Sequence, residues 1–240
     1  MLLLQLPNYY KTMLPVIEIE NKISQICPKL QIGLIKATVA NSATPDALWE
    51  KICNACLEIK SKYQQLTEIN KRPAIAATRT LYRNCGKDPN RYRVASEALC
   101  RRAAKGADLY RINSVVDIIN LVSIKSGYPI SGLDADKIIG PKLSLSIGEH
   151  GETFHGIGRG LLNIEYMPVY RDAAGGIATP TSDEERTKID ISTTTVQINI
   201  NAFAPEMPLD ETIGLSVSLL KKFCNAQDIE TSIHTPYETA

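Results

Sequence analysis

The sequence predicts an α+β fold, a single domain in which a mixed sheet packs against helices. Helical periodicity is concentrated in the first half of the chain, whereas alternating strand patterns are concentrated between residues 143 and 200. Hydrophobic residues make up 44% of the 240 positions and charged residues 22%. This is the composition of a globular protein with an ordinary core, and it excludes wholesale disorder.

The first half of the chain carries one strand signal and several helix signals. A run of branched apolar residues at positions 30–39 predicts a buried strand. Pro45 and Asp46 then begin a long helix, because apolar residues recur every three or four positions as far as Leu66. Three further helices are expected to stop at glycines, as helices often do. They are predicted over residues 73–86, 96–106 and 114–127.

The second half predicts strands followed by one helix. Leu143–Ile147 alternates between apolar and polar residues, as a strand with one wet face does, and a turn follows at residues 150–151. An amphipathic helix over residues 209–224 is expected to complete the domain. Further strands are predicted at residues 161–166, 169–171, 177–179 and 194–200, with a tight turn over 172–176.

These elements suggest three parts of the chain. Residues 1–70 are predicted to form an N-terminal strand and long-helix extension packed on the core. Residues 71–225 form the main domain, and residues 226–240 are expected to be a loosely held tail. The change from helical to strand patterns falls inside the main domain, which is typical of an α+β fold.

The sequence predicts a soluble, cytoplasmic protein with no membrane partner. Met1–Leu6 is apolar, but Pro7 interrupts it, and no run of about 18 apolar residues exists. The six cysteines are dispersed, so we expect reduced thiols. Cys53 and Cys56 form a CxxC pattern inside a predicted helix, with no second pair and no histidines at ligand spacing. Neither a metal nor a cofactor is therefore expected.

Basic side chains are concentrated between residues 71 and 111. This segment has eleven lysines and arginines against three acidic residues, whereas the whole chain has a formal net charge of +1. Such local density is typical of a surface that meets phosphates, and a solvated surface balanced by acidic segments elsewhere is the alternative. The residues expected to contact RNA are Lys87, Arg91, Arg93, Arg101, Arg102 and Lys105.

Four segments together resemble a known family. They are the arginine-rich segment 87–102, the Val-Val-Asp-x-x-Asn element at 115–120, the Gly-x-Pro element at 127–134, and residues 175–189. The pattern is similar to the tRNA-binding and editing domain formed by the third and fourth modules of the bacterial phenylalanyl-tRNA synthetase β subunit. It is closer still to free-standing proteins built from that domain alone. The resemblance covers roughly residues 72–203.

The resemblance implies a mixed α/β fold with an internal pocket, which in the synthetase hydrolyses tyrosine wrongly esterified to the tRNA for phenylalanine. Asn120 matches an asparagine of that pocket. This chain departs from the pattern at two positions, since Ser131 replaces a histidine and Asn199 is the best match to the acidic residue that recognises the tyrosine hydroxyl. The departures argue against tyrosyl specificity and leave open the hydrolysis of another aminoacyl ester.

An aminoacyl ester is already activated, so short polar groups that hold the ester and a water in line are sufficient for hydrolysis. We expect Asn120 to face Ser131 and Asn199 across one concave site, since alternation along residues 196–200 separates the apolar side chains from Gln197 and Asn199. The alternative for several of the candidate hydroxyl groups is a structural role in a turn or as a helix cap. The candidate pocket residues are Asn120, Ser131, Gly132, Thr179, Thr181, Ser182 and Asn199.

Three functions are compatible with the sequence. The leading interpretation is a stand-alone protein that binds tRNA and hydrolyses mischarged aminoacyl-tRNA in trans. The second is a non-catalytic RNA- or amino-acid-binding module that retains the pocket, and the missing histidine and acid favour it. The third is a small-molecule hydrolase on the same scaffold, suggested only by the near-neutral overall charge.

Overall fold

Seven helices and ten strands make up residues 14–236, the part of the chain that the computed structural model describes. The helices are α1 (Asn21–Ile26), α2 (Asp46–Lys62), α3 (Leu66–Ile69), α4 (Pro73–Cys85), α5 (Ala95–Ala104), α6 (Ser114–Ser126) and α7 (Leu209–Cys224). The strands are β1 (Val16–Ile19), β2 (Gln31–Thr38), β3 (Ile130–Asp134), β4 (Lys142–Ile147), β5 (Thr153–Gly156), β6 (Gly160–Asn163), β7 (Pro168–Asp172), β8 (Gly175–Ala178), β9 (Thr195–Ala202) and β10 (Gln227–His234).

The first sheet has the strand order β10-β2-β9-β3, and all of its pairs are antiparallel. Its odd-numbered β2 residues and even-numbered β9 residues face the helices, where Ile35, Val196, Ile198 and Ile200 pack with α2, α6 and α7. At Gly33 an added Cβ would approach the Ile213 side chain of α7 to 3.0 Å. The helices therefore cover one face of this sheet closely.

The second sheet has the order β1-β4-β7-β8 and is mixed, because β1 runs parallel to β4 while the other pairs are antiparallel. A shared apolar core joins it to the free face of the first sheet. That core includes Leu34 and Leu133 from the first sheet, with Leu145, Tyr170 and Ile177 from the second. A short hairpin of β5 and β6 completes the molecule. The chain is thus a single α+β domain of helices, a mixed sheet and an antiparallel sheet, in agreement with the fold class that its sequence predicts.

The first correction concerns the two ends of the predicted domain. Gln227–His234, predicted as a loosely held tail, is strand β10 and pairs with β2. The predicted N-terminal extension contributes β2, which lies inside the first sheet between β10 and β9. The outer ends of both segments, residues 1–13 and 237–240, lie outside the described residues, as does the apolar stretch Met1–Leu6.

Local contacts determine where β3, α6 and α5 begin. Residues 130–134, for which the sequence predicts no strand, form β3 because they pair with β9. Asn113, the residue before the predicted helix 114–127, caps α6 by accepting a hydrogen bond from Val116 N–H (3.0 Å). Helix α5 begins at Ala95, so the Ser96 hydroxyl lies inside the helix, where it is buried and has no hydrogen-bond partner in the described part of the chain.

Across residues 14–236, no helix is both long enough and apolar enough to span a bilayer. All six cysteines lie in this range as unpaired thiols.

Candidate functional site: a buried polar cluster and a basic concavity

A row of amide side chains lines the face of β9 that is turned away from the helices. Gln197, Asn199 and Asn201 alternate with the apolar residues and are all buried, because the second sheet covers this face. The alternation predicted for Gln197 and Asn199 is therefore confirmed. Three buried amides in one strand are unusual, since each must find hydrogen-bonding partners or destabilise the fold.

Most of these amide groups have partners, and one does not. The side-chain amide of Gln197 donates to Asn199 Oδ1 (3.0 Å), and that of Asn201 donates to the Pro129 carbonyl (3.1 Å). The Tyr170 hydroxyl donates to Asn201 Oδ1 (2.5 Å). Asn199 Nδ2 has no hydrogen-bond acceptor among residues 14–236, although the residue is fully buried. A buried unpaired donor costs about 1–3 kcal/mol, which a bound acceptor would recover.

Asp183 places a carboxyl group beside this row. Its Oδ2 accepts the backbone N–H of Gly132 (3.1 Å), and its carboxylate also accepts the Ser131 hydroxyl. Ser131 is the register partner of Asn199, so their side chains share one face of the sheet. Burial raises the pKa of Asp183 to about 7, with the two hydrogen bonds acting in the opposite direction. We call Ser131, Asp183, Gln197, Asn199 and Asn201 the polar cluster.

The turn that precedes Asp183 contains three predicted pocket residues, Thr179, Thr181 and Ser182. Thr179 Oγ1 donates to the Ser182 carbonyl and accepts the N–H groups of Thr181 and Ser182. The Thr181 hydroxyl lies 2.8 Å from the Tyr82 hydroxyl of α4, and both residues are buried. The polar groups of these three residues therefore mainly form hydrogen bonds within the turn and with α4.

Gly132 has a structural reason to be glycine. A Cβ at this position would overlap the Ile119 side chain of α6. Its backbone N–H is also the donor that holds Asp183. Gly132 therefore allows α6 to pack closely on β3, and it also supports the Asp183 carboxyl group.

Asn120 is not brought to the cluster. Helix α6 packs against the apolar face of the first sheet through Ile118, Ile119 and Val122, whereas Asn199 points from the opposite face. Within residues 14–236, no hydrogen bond joins Asn120 to Ser131 or Asn199. The expectation that Asn120 faces both residues is therefore not supported, because the sheet lies between the helix and the Asn199 side chain.

Four of the predicted RNA-contacting residues line one surface depression formed by α5 and the residues on either side of it. Arg93, Arg101, Arg102 and Lys105 surround an open concavity of about 470 Å³ whose other lining residues are Ala98 and Ala107. We call this depression the basic concavity. Arg91 is also exposed, and its guanidinium lies 5.5 Å from the centre of the Tyr92 ring.

Lys87 is a correction to the predicted RNA surface. The residue is 6% exposed, and its ammonium group donates to the Asn163 carbonyl, the Asn163 side chain and the Glu165 carbonyl at 2.7–3.1 Å. It also lies 3.9 Å from the centre of the Tyr92 ring. Lys87 thus ties the end of α4 to the loop after β6 and does not face solvent. Desolvation is the main cause of its lowered pKa.

A buried carboxylate organises the arginines of the basic segment. Glu97 is 1% exposed and forms ion pairs with Arg79 (2.8 Å), Arg93 (3.3 Å) and Arg101 (3.8 Å). Arg79 is itself buried, and so is Arg72, whose Nε donates to Glu206 at 2.7 Å. Part of the positive charge of residues 71–111 is therefore neutralised inside the protein.

The CxxC pattern lies on α2 beside a small apolar cavity. The cavity has a volume of about 210 Å³ and is lined by Cys53, Cys56 and Trp49 together with residues 106–109. Burial raises the pKa of Cys56 to about 11, so its thiol is protonated at neutral pH. In the described part of the chain, no three His, Cys, Asp or Glu residues are grouped in a way that could hold a metal ion.

Asp183 and Asn201 were not predicted as members of the polar cluster, whereas Gln197 was placed on the correct face of its strand but not among the candidate pocket residues. The amide alternation in β9 was a usable signal, but burial of that face depends on the second sheet. Asp183 is separated from Gly132 by 51 residues, and no local pattern links the two.

Comparison with known proteins supports a family assignment. No curated protein matches the chain. Fifteen chains of known structure match it, and one is an N-terminal fragment of the phenylalanyl-tRNA synthetase β subunit from Pyrococcus horikoshii. That match has 12% identity and a TM-score of 0.44, and it covers 89% of this chain and 50% of the fragment. The family model of the B3/4 domain matches residues 77–212, which is more than half of the chain. The chain therefore belongs to the B3/4 domain family.

Proposed function

We propose that this protein binds tRNA and hydrolyses the ester of a mischarged aminoacyl-tRNA in trans, with the polar cluster as the ester site. The observation that carries the proposal is the fully buried amide of Asn199, which has no acceptor among residues 14–236 and is the register partner of Ser131, a hydrogen-bond donor to the Asp183 carboxyl group. Membership of the B3/4 family and the synthetase-like motifs support the choice of substrate class. The basic concavity supplies a surface for phosphates.

The proposed chemistry uses groups of this chain alone. Asn199 Nδ2 donates to the carbonyl oxygen of the ester and stabilises the negative charge that develops there. The Asp183 carboxylate accepts a proton as a water oxygen attacks the carbonyl carbon. The bond between that carbon and the ribose oxygen then breaks, and the ribose oxygen takes up the proton that Asp183 received. The products are the free amino acid and the uncharged tRNA.

A second candidate is a binding module that has the site without the chemistry. It is favoured by the two hydrogen bonds that the Asp183 carboxyl group already accepts, from Ser131 and from Gly132. These bonds stabilise the carboxylate and lower its basicity. In this alternative, the Asn199 amide binds an acceptor of an amino acid or RNA ligand, and no bond is broken.

The test is a panel of misacylated tRNAs incubated with the wild-type protein, with release of the amino acid as the readout. Wild type is expected to deacylate at least one member of the panel. Asp183→Asn is expected to lower that rate about 10²–10⁴-fold while tRNA affinity changes less than twofold. Asp210→Asn, an exposed aspartate on α7, is the matched control with an unchanged rate.

Each result selects one function. Loss of deacylation in Asp183→Asn with retained tRNA affinity supports the hydrolase. Binding of tRNA without deacylation of any member supports the binding module. Deacylation that is unaffected by both Asp183→Asn and Asn199→Ala would contradict the assignment of the polar cluster as the ester site.

A further inference from the structure

An exposed aromatic ring lies in the segment that follows the basic concavity. Tyr110 is 69% exposed, in the connection between α5 and α6. Its neighbours are nevertheless fixed, because Leu109 is buried in the helical core and Asn113 caps α6. The backbone thus holds the Tyr110 ring in water between two anchored positions. Because the backbone on both sides of the ring is already fixed, less conformational entropy is lost when a ligand binds to the ring.

Arg102 links this ring to the basic concavity. Its guanidinium carbon lies 4.4 Å from the centre of the Tyr110 ring, within the range of a cation–π contact. Its Nε donates to the Asp108 carbonyl at 2.5 Å, so the guanidinium is held from two sides. Arg102 also lines the concavity with Arg93 and Lys105. The exposed ring and the cluster of cations are therefore parts of one surface.

The chemistry of this surface favours a single-stranded nucleic acid. Single-strand binding sites commonly combine two features: cations placed along the path of the phosphate backbone, and aromatic side chains on which the bases stack. A duplex offers phosphates to the same cations, but its bases are already stacked on one another. An acidic peptide would also form ion pairs with the cations, but its contact with the exposed ring would contribute less binding energy than a stacked base. The ring and the cations together therefore fit an unpaired nucleotide best.

We propose that Tyr110 is the stacking platform for one unpaired base of a bound RNA, whose neighbouring phosphates contact Arg93, Arg102 and Lys105. This inference rests on the proposed RNA binding and specifies the form of RNA that the surface selects. It does not depend on hydrolysis at the polar cluster.

The test is fluorescence anisotropy with a labelled eight-nucleotide single-stranded RNA and with the same strand annealed to its complement. Tyr110→Ala is expected to weaken single-strand binding about 5- to 100-fold, which is the effect of losing one stacked base. Duplex affinity is expected to change less than twofold. Tyr110→Trp retains an aromatic face and is expected to bind the single strand at least as well as wild type.

Two controls separate stacking from charge and from unspecific effects. Tyr166→Ala removes another exposed tyrosine, 41% exposed and located between β6 and β7, and is expected to leave both affinities unchanged. The dependence of log affinity on log salt is expected to keep its slope in Tyr110→Ala, because no phosphate contact is lost. A 5-iodouridine placed in the strand is expected to crosslink to Tyr110 under ultraviolet light.

The outcomes distinguish this inference from the proposed function. Equal single-strand affinities of Tyr110→Ala and wild type overturn the inference, as does an equal loss for single strand and duplex. Binding of intact tRNA without binding of the eight-nucleotide strand also overturns it and leaves the proposed function standing. Tyr110-dependent single-strand binding without any deacylation supports the inference and contradicts only the hydrolase. Failure to bind any RNA contradicts both.

Discussion

Asp183 is the residue whose charge state the fold controls most clearly. Burial raises its pKa to about 7, so the folded protein binds this proton more tightly than the unfolded chain, where the pKa is close to 3.8. The folded state therefore loses stability as the pH rises from about 4 to about 7, and the loss is complete above that range. The ionised carboxylate of this partly buried residue is tolerated because Ser131 and Gly132 donate to it.

This linkage predicts that Asp183→Asn is more stable than wild type at pH 8, by about 1–2 kcal/mol or roughly 2–8 °C in Tm. The asparagine oxygen can still accept the Gly132 N–H, and no charge is buried. The difference between the two proteins should decrease towards pH 4. Thermal unfolding followed by circular dichroism between pH 4 and pH 8 measures it. An identical pH dependence of Tm in both proteins would contradict the raised pKa.

Glu97 is expected to be essential for stability, because it neutralises the buried guanidinium of Arg79. Glu97→Gln keeps the shape of the side chain and leaves that cation without a counter-charge. The free energy of unfolding should fall by about 3 kcal/mol. Urea denaturation measures the change, and Glu50→Gln on the exposed side of α2 is the control, with an expected change below about 0.5 kcal/mol. A comparably small change in Glu97→Gln would show that the ion pair is dispensable.

Individual residues were predictable where a local pattern determines them. The alternation of β9 correctly separated Asn199 from Val196, Ile198 and Ile200. Asn120 was not predictable in this way, because its placement depends on which face of the sheet receives α6. Lys87 looked like any other basic residue of its segment, and only the distant Asn163 and Glu165 explain its burial.

At the scale of elements, helices were predicted better than strands. The bounds of α7 match the expectation at both ends, because the periodicity of an amphipathic helix is contained in its own residues. Strands β3 and β10 were missed because their stability comes from β9 and β2, their partners in the sheet. Polar residues in β10, such as Asp228 and Glu230, are suited to a sheet edge and resemble a loop in sequence.

Truncation of the chain after Asn225 tests the structural role of β10. Without β10, strand β2 becomes an edge strand and exposes backbone groups between Ile32 and Thr38. We expect reduced stability and concentration-dependent aggregation, because an apolar unpaired edge recruits other chains. Size-exclusion chromatography and thermal unfolding provide the readouts, and truncation after Pro236 is the control that retains the strand. Equal behaviour of both truncations would contradict the pairing of β10 with β2.

At the scale of the whole molecule, the two sheets enclose the polar cluster and the helices present the basic concavity. The sequence predicted the fold class, since helical and strand patterns can be counted along the chain. It did not predict the enclosure, because the second sheet covers the amide face of β9 only when both sheets are assembled, and Asp183 reaches Ser131 and Gly132 from a distant part of the chain. For the same reason, the excess of positive charge over residues 71–111 did not reveal that Arg72, Arg79 and Lys87 are buried.

The basic side chains of residues 71–111 that are not buried allow a prediction of how RNA binding depends on salt concentration. Each phosphate contact releases counterions and contributes a slope of roughly −0.7 to the plot of log affinity against log salt for single strands. Replacing Arg93, Arg102 and Lys105 by alanine should therefore make the slope for tRNA less negative by about 2. Binding measured between 50 and 200 mM salt, a range of about fourfold, gives this slope directly.

A matched variant decides whether position or net charge is responsible for that change. Replacing Lys29, Lys221 and Lys222 by alanine removes the same charge from exposed positions outside the basic concavity. If the concavity contacts the phosphates, this control keeps the wild-type slope, because long-range charge is screened over about 8–10 Å at 0.1–0.15 M salt, in the middle of this range. Equal slopes in the two triple variants would mean that tRNA responds only to overall charge. The basic concavity would then lose its role as the RNA surface, whereas the polar cluster would keep its proposed role in ester hydrolysis.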